Sequence, residues 1–146
     1  MLDQLTAALE GRRFNYQDEA ELQIGIGEAL REAGIHFQRE RQLGQDRVDF
    51  FLPQRNPDTP HMTGKALPGY RWNRHSCSNP WDPKGIAVEV KVRGATNAVT
   101  RQLLRYAHYP EVTELVLITT LARHAQVPRV LSGKTVHVIY LGLETL

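Results

Sequence analysis

The segment from residue 86 to residue 92 constrains the fold of this chain more than any other, because it is almost entirely apolar yet carries Glu89 and Lys91. An apolar run of this length is typical of a strand at the centre of a sheet, covered on both faces. Side chains alternate between the two faces of a strand, so Glu89 and Lys91 point to the same side while the neighbouring valines pack into the core. Two charges placed together in such a strand indicate a functional site.

Helix and strand spacing elsewhere indicates what surrounds this strand. Three consecutive strands come before a helix that would cross back over the sheet, and two more strands follow that helix. This order predicts one domain, residues 1–146, of the α/β (α+β) class, in which helices flank a mixed sheet. Helical spacing covers residues 17–33 and 95–109, and strand spacing covers residues 35–43, 47–52, 86–92, 115–119 and 135–141.

Residues 54–84 do not fit this scheme, and we interpret them as an insertion between the second and third strands. They contain five prolines, and a stretch this long without periodicity in a compact domain is usually functional or has small structure of its own. Five basic residues against two acidic ones give the insertion a formal charge of +3, although the whole chain carries only +2. The basic potential is therefore concentrated in this segment.

Composition excludes several classes of protein. The single cysteine, Cys77, rules out an internal disulfide and fits a reducing compartment. No apolar run approaches the length of a membrane span, and the first residues lack the basic-then-apolar form of a signal peptide. We expect the protein in the cytoplasm of a prokaryote or of a phage-infected cell, with no membrane partner.

Acidic residues on two strands indicate a metal site. Asp49 lies in the apolar strand at residues 47–52, and Glu89 and Lys91 lie two apart on the next strand. Two carboxylates and a backbone carbonyl are oxygen ligands that suit Mg²⁺, which keeps several waters for phosphate chemistry. The pattern therefore predicts a site for metal-dependent reactions of phosphates.

Glu19 is the odd acid of the first predicted helix. It lies three residues before Leu22 and seven before Ile26, so its spacing places it on the apolar stripe of that helix. A carboxylate on a buried face costs free energy unless a cation meets it. A simple salt bridge to Arg39 or Arg47 would provide such a cation.

Asp49, the sequence Glu89-Val90-Lys91 and a following helix with Gln102 together resemble the PD-(D/E)XK nuclease superfamily. The opening Glu19-Ala20-Glu21-Leu22 resembles the glutamate-bearing first helix of archaeal-type Holliday-junction resolvases. Gln102 and Tyr106, four residues apart, match the Q-x-x-x-Y pattern of RecB-like nucleases. These motifs lie on different predicted elements, so the resemblance concerns a whole domain.

The resemblance covers about residues 19–120 except the insertion, and Val48 stands where the superfamily often has proline. It implies a restriction-endonuclease-like core, with the long Pro-rich insertion placed between the two metal-site strands. Asp49, Glu89 and the carbonyl of Val90 would bind Mg²⁺, and Mn²⁺ is the expected substitute.

The same resemblance implies roles for three other residues. Lys91 would orient the attacking water and stabilise charge on the phosphate. Glu19 would complete the metal site or bind a second ion. Gln102 would position its helix against the site or against the DNA backbone.

Basic residues beside the candidate site are the expected nucleic-acid contacts. Arg101 and Arg105 lie four apart on one face of the predicted helix, although a solvated face explains them equally well. Gln102 and Tyr106 could likewise be plain helix–sheet packing. The expected contacts are Arg47, Arg93, Arg101, Arg105 and Tyr106, together with Lys65, Arg71 and Arg74 of the insertion.

Two other features of the insertion have plain explanations. His61, His75 and Cys77 lack the paired spacing of a structural zinc site, so we do not expect zinc there. Trp72 and Trp81 could stack on bases, but large aromatic side chains also stabilise irregular loops, and the second explanation is favoured.

The resemblance implies a Mg²⁺-dependent endodeoxyribonuclease that cleaves branched or duplex DNA. The small chain leaves little room for sequence-reading elements, which favours dependence on DNA structure. Resolution of a four-way junction would require a homodimer, because two opposed cuts need two sites related by a two-fold axis. The alternatives are a catalytically silent DNA-binding or assembly module with the same fold, and an RNA-directed nuclease.

Overall fold

The computed structural model describes residues 1–55 and 81–142. Within these ranges the chain forms three α-helices, one 3₁₀ helix and six strands. In chain order these are α1 (Leu2–Leu9), α2 (Glu19–Glu32), β1 (Gln38–Leu43), β2 (Asp46–Arg55), β3 (Trp81–Lys91), α3 (Thr96–Ala107), β4 (Val112–Thr119), the 3₁₀ helix (Ala122–Gln126), β5 (Val130–Leu131) and β6 (Lys134–Tyr140).

The six strands form one mixed sheet in the order β1-β2-β3-β4-β6-β5. The first three strands are an antiparallel meander, as the sequence predicts, and β2 is paired directly with β3 although the insertion separates them. Helix α3 then connects β3 to β4, which is parallel to β3, and β6 is parallel to β4. The α+β class with helices flanking a mixed sheet is therefore confirmed.

Alternating strand residues place a core on each face of the sheet. Phe50 and Val88 belong to the core shared with α1 and α2, whereas Phe51 and Ala87 belong to the core shared with α3. Glu89 lies two residues after Ala87 on β3, so its side chain points to the same face of the sheet, the face covered by α3. The predicted double coverage of this strand is confirmed.

Helix α2 is bounded by two sequence-encoded signals. At its start, the side chain of Asp18 accepts a hydrogen bond from the backbone N–H of Glu21. At its end, Gly34 has a positive φ of 72°, and the backbone N–H of Ile35 donates to the carbonyl of Leu30. Ile35 therefore completes the helix terminus, and the prediction that β1 starts at this residue is wrong by three positions.

The predicted insertion boundaries are also wrong, because both flanking strands extend into residues 54–84. Strand β2 continues through Pro53 to Arg55, and β3 starts at Trp81. Proline lacks an N–H and usually ends a central strand, but here the pairing shifts register just after it. Gly85 allows the two strands to approach, since a Cβ there would lie 2.2 Å from the carbonyl oxygen of Leu52.

Three elements were not predicted: α1, the 3₁₀ helix and β5. Helix α1 is short, and only Leu5 and Leu9 are fully buried on it, so its periodic signal is weak. Strand β5 has only two residues and pairs with the first residues of β6 around the predicted turn at Ser132 and Gly133. None of the helices in the described ranges is long and apolar enough to cross a membrane.

Candidate active site at the end of the β2–β3 ladder

The candidate site lies where β2 and β3 stop pairing. The last paired residues at this end of the ladder are Phe50 and Val88, and Asp49 and Glu89 are the next residues on the two strands. Beyond this point the Asp49 side chain replaces the main chain as acceptor, because its Oδ2 accepts a 2.8 Å hydrogen bond from the backbone N–H of Val90. The fold thus brings together two acids that are distant in the sequence.

Glu89 is only 2% exposed, and both of its carboxylate oxygens have partners. Oε1 lies 2.7 Å from the ammonium of Lys91 and accepts a 2.8 Å hydrogen bond from the Gln102 side-chain amide. Oε2 lies 3.0 Å from the Tyr106 hydroxyl. These contacts fix the orientation of the carboxylate before any ligand binds.

The two facing carboxyl groups hold protons more tightly than ordinary acids. Burial raises the pKa of Asp49, and the hydrogen bond from the backbone of Val90 opposes part of that increase. Burial, followed by the negative charge of Asp49, raises the pKa of Glu89 to about 7. Nearby positive charge is therefore not enough to stabilise both carboxyl groups in their ionised form.

Lys91 lies between two acids from different elements. Its Nζ contacts Glu89 on the same strand and lies 3.8 Å from Oε1 of Glu19 on α2. Burial favours neutral lysine, but the charge and hydrogen bond of Glu89, with the charge of Glu19, raise the pKa of the ammonium. Lys91 is therefore a fixed positive charge, and Glu19 is paired with it rather than with Arg39 or Arg47.

Gln102 and Tyr106, one turn apart on α3, are brought together with Glu89. The Gln102 amide also donates to the Tyr106 hydroxyl at 2.7 Å, and that hydroxyl lies 3.0 Å from the backbone carbonyl of Arg47. Tyr106 is only 1% exposed, so the prediction that it contacts nucleic acid is wrong: its ring fills the core under α3 and its hydroxyl faces Glu89. Gln102 and Tyr106 therefore both hydrogen-bond to the Glu89 carboxylate.

The predicted arginine contacts have different environments. Arg47, Arg93 and Arg101 are exposed. Arg105 is exposed as well, but its Nε donates to Asp46 at 3.2 Å, which ties it to the hairpin between β1 and β2. Other predicted or considered residues lie outside the described part of the chain: Lys65, Arg71, Arg74, His61, His75, Cys77 and Trp72.

The donor set at this site fits a hard divalent cation. In residues 1–55 and 81–142, no group of three or more His, Cys, Asp and Glu side chains could hold a metal ion, so the ion would depend on the two carboxyls and on main-chain oxygen. The Lys91 carbonyl is bonded to the N–H of Thr120, and strand alternation therefore turns the Val90 carbonyl towards Asp49. Two buried acids that repel each other and an adjacent carbonyl suit Mg²⁺ or Mn²⁺. Glu19 as a further ligand stays a prediction.

Sequence reasoning missed one residue of the site, Gln23. It is a buried side chain of α2 that accepts a 2.9 Å hydrogen bond from Arg39, and its amide helps to lower the pKa of Asp49. The available signal was its position four residues after Glu19, which places both side chains on one face of the helix. Gln23 is uncharged and lies within an apolar stripe, so the sequence gave no reason to select it as a site residue.

Comparison with known proteins adds no relative to this description. No protein-family model, no curated protein and no solved structure matches the chain. The geometry of the site is therefore the basis for any functional conclusion.

Proposed function

We propose that this protein is a metal-dependent endodeoxyribonuclease with a restriction-endonuclease-like core, which hydrolyses phosphodiester bonds in branched or duplex DNA. One observation carries the proposal: Asp49, Glu89 and Lys91 meet at the point where β2 and β3 separate, with the Val90 main chain between the two acids. This is the arrangement that the sequence resemblance implies. The antiparallel meander followed by α3 and a parallel β4 supports the fold part of the proposal.

The residues of the site have complementary chemical roles. Asp49, Glu89 and the Val90 carbonyl would hold a divalent cation, which would supply Lewis-acid polarisation of a phosphate oxygen. Lys91, whose ammonium is fixed between two acids, provides a preorganised positive charge for the phosphate and orients the attacking water. Gln102 keeps the Glu89 carboxylate in one orientation.

The surface around the site supports a nucleic-acid substrate. Arg93 follows β3 directly after the site, and Arg101 lies on α3 one residue before Gln102. Both are exposed, so they can contact phosphates without loss of buried interactions. Such contacts recognise backbone charge and shape rather than sequence, which agrees with cleavage that depends on DNA structure.

Cleavage of defined substrates by the purified chain tests this proposal. Four-way, flapped and linear DNA, with an RNA duplex of the same sequence, are incubated with Mg²⁺, with Mn²⁺ and with EDTA. We expect metal-dependent cleavage of DNA that Glu89→Gln and Lys91→Ala each reduce at least about 100-fold. Glu28→Gln, which alters an exposed acid of α2, is the matched control and should cleave like the wild type.

The other outcomes separate the rival functions. Equal DNA binding by wild type and Glu89→Ala, with no metal-stimulated cleavage by either, identifies a catalytically silent binding module. Preferential cleavage of RNA identifies an RNA-directed nuclease. Preference for the four-way junction, with a dimeric mass in solution, supports junction resolution; equal cleavage of all DNA forms removes it.

A further inference from the structure

We propose that the cavity between the end of β6 and the chain that joins α1 to α2 binds an unpaired base of the cleaved DNA strand, within about three nucleotides of the scissile phosphate. The inference rests on the proposed function, because it concerns the same substrate. It names the structural feature of branched DNA that the protein would recognise, which is a base without a pairing partner next to the cut.

The cavity has a volume of about 500 Å³, which lies in the usual range for small-molecule sites. It is lined by α1, by the residues that follow α1, and by the last residues of β6 with the two that come after them. Three aromatic residues, Phe14, Tyr16 and Tyr140, are part of this lining. Leu9 and Ile139 add apolar surface, so the lining suits a flat aromatic ligand.

Tyr140 provides the most accessible ring of the cavity, because this residue is 54% exposed. Its Cε1 lies 3.1 Å from the position that a Cβ on Gly142 would occupy, so the glycine leaves room for the ring. The backbone N–H of Leu141 donates to the Thr119 carbonyl at 2.8 Å, which anchors the chain immediately after Tyr140. An exposed ring on an anchored backbone is a surface on which an unpaired base stacks.

The charges around the cavity favour a base over a phosphate. Arg12, Arg13 and Glu10 line it. Arg12 is also paired with Glu32, so the formal charges of these four residues cancel. Phosphates are bound chiefly through excess positive charge, which these residues do not supply. An uncharged base needs aromatic surface and groups that both donate and accept hydrogen bonds, such as the amide of Asn15 in the lining.

The register of the sheet places the cavity close to the candidate active site. Lys91 is the register partner of Thr119, and Thr119 is the register partner of Tyr140. Neighbouring strands lie about 4.8 Å apart, so about 10 Å separates the backbones of Lys91 and Tyr140. Stacked nucleotides rise about 3.4 Å each along one strand, so this separation spans about three nucleotides.

The chain before α2 provides a second, independent link between the cavity and the site. Tyr16 lines the cavity, and Glu19, three residues later, lies 3.8 Å from the Lys91 ammonium. Three residues span at most about 11 Å even when they are fully extended. A DNA strand with a phosphate at Lys91 can therefore place a nearby base in the cavity.

Such a contact explains how a small domain would select DNA by structure. Flapped and branched DNA contain unpaired bases beside the branch, whereas each base inside a linear duplex is paired and stacked. Stacking on an aromatic ring tolerates every base, because every base has a π-face. The cavity would therefore distinguish branched from linear DNA without reading its sequence.

The first test changes the DNA and leaves the protein intact. The cut is mapped on flapped DNA in Mg²⁺, and single bases near it are then replaced one at a time by abasic sites. We expect one replacement within about three nucleotides of the cut to weaken binding in Ca²⁺ about 5- to 100-fold. An abasic site a full helical turn away in the duplex arm is the control and should have no effect.

The second test changes the ring. Tyr140→Ala should weaken binding of flapped DNA about 5- to 100-fold, whereas Tyr140→Phe keeps the ring and should bind like the wild type. Val130→Ala, which truncates another exposed apolar side chain on β5, is the matched control. Tyr140→Ala and the sensitive abasic site remove the same contact, so their combined effect should not exceed the larger single effect.

The outcomes separate this inference from the proposed function. Wild-type binding of abasic DNA at every position, or equal effects of Tyr140→Ala on intact and abasic DNA, overturns the inference while cleavage by the wild type upholds the function. Binding of free thymidine monophosphate that depends on Tyr140, with no effect of any abasic site, assigns the cavity to a free nucleotide and also overturns the inference. If Tyr140→Ala does not fold, the abasic series decides. A wild-type protein that neither binds nor cleaves DNA overturns both.

Discussion

The Asp49 carboxylate accepts the hydrogen bond that the backbone of β2 would otherwise accept from the N–H of Val90, at 2.8 Å. The regular ladder between β2 and β3 ends at Phe50 and Val88, and Asp49 and Glu89 are the next residues on the two strands. A side chain that binds the neighbouring main chain is fixed in direction, so the acid is preorganised. The ladder end and the site are therefore one feature.

Substitutions of Asp49 should separate its hydrogen bond from its charge. Asp49→Asn keeps an acceptor for the Val90 N–H, so the fold should persist while metal-dependent cleavage falls at least about 100-fold. Asp49→Ala removes the acceptor too and should lower the free energy of unfolding by about a further 1–2 kcal/mol. Urea unfolding and cleavage rates measure the two effects. Equal stability of the two variants would show that the Val90 bond contributes little.

The stability of the metal-free protein should fall as the pH rises through neutrality. The pKa of Glu89 is about 7 in the folded protein against an ordinary value of 4.5, so the folded state binds this proton more tightly than the unfolded chain does. The resulting stability is present below about pH 4.5 and is lost as the pH rises through 7, by roughly 3 kcal/mol. The raised pKa of Asp49 acts in the same direction.

Urea unfolding at pH 5.5 and pH 8 in EDTA measures this dependence, and Glu89→Gln should make it much flatter. At pH 8, Mg²⁺ or Mn²⁺ should restore stability, because a cation replaces the lost proton between the two acids. Stability in EDTA that is unchanged or higher at pH 8 would contradict the proposed environment of Glu89.

The Tyr106 hydroxyl should matter for stability as well as for Glu89. Tyr106→Phe leaves the ring in the core but removes the partner of Glu89 Oε2 and of the Arg47 carbonyl. We expect a loss of about 1–3 kcal/mol in the free energy of unfolding, since the buried Glu89 carboxylate loses a hydrogen-bond partner. Tyr109→Phe is the matched control: its hydroxyl donates to Asp46 near the surface, and its removal should cost clearly less.

A buried histidine should be essential for the connection between β3 and α3. His124 is fully buried; its Nδ1 lies 2.6 Å from the Thr119 hydroxyl and its Nε2 lies 3.0 Å from the Gly94 carbonyl. Thr119→Val keeps the volume but removes the hydroxyl, leaving His124 Nδ1 and the Leu121 N–H unpaired. Unfolding experiments should show a loss of about 1–3 kcal/mol per unpaired group, and Thr135→Val, at an exposed strand position, should change stability little.

DNA affinity should depend on the exposed arginines of the site end of the sheet. Arg101→Ala should weaken binding of all DNA forms similarly and should reduce the slope of log K against log salt by about 1. Binding to labelled DNA at several salt concentrations, in Ca²⁺ to prevent cleavage, measures that slope. Arg129→Ala, at an exposed position before β5, is the control. An unchanged slope for Arg101→Ala would place the DNA elsewhere.

The sequence by itself determined the elements and the acids. Apolar spacing located α2, α3 and five of the six strands, because which face of an element is buried depends on local periodicity. Glu89 and Lys91 marked the site because they are two charged side chains in an otherwise apolar strand. Short elements such as β5 gave too few residues for a periodic signal.

Only the tertiary structure decided which groups meet. The pairing of β2 with β3, which are separated by the residues between them in the sequence, ends at Phe50 and Val88 and so brings the following acids, Asp49 and Glu89, close together. Packing of α2 and α3 against opposite faces then brings Glu19 to Lys91 from one side and Tyr106 to Glu89 from the other. Burial and mutual repulsion of charges, which raise the pKa of Glu89 to about 7, arise only from that convergence, because sequence spacing fixes directions within an element and not distances between elements.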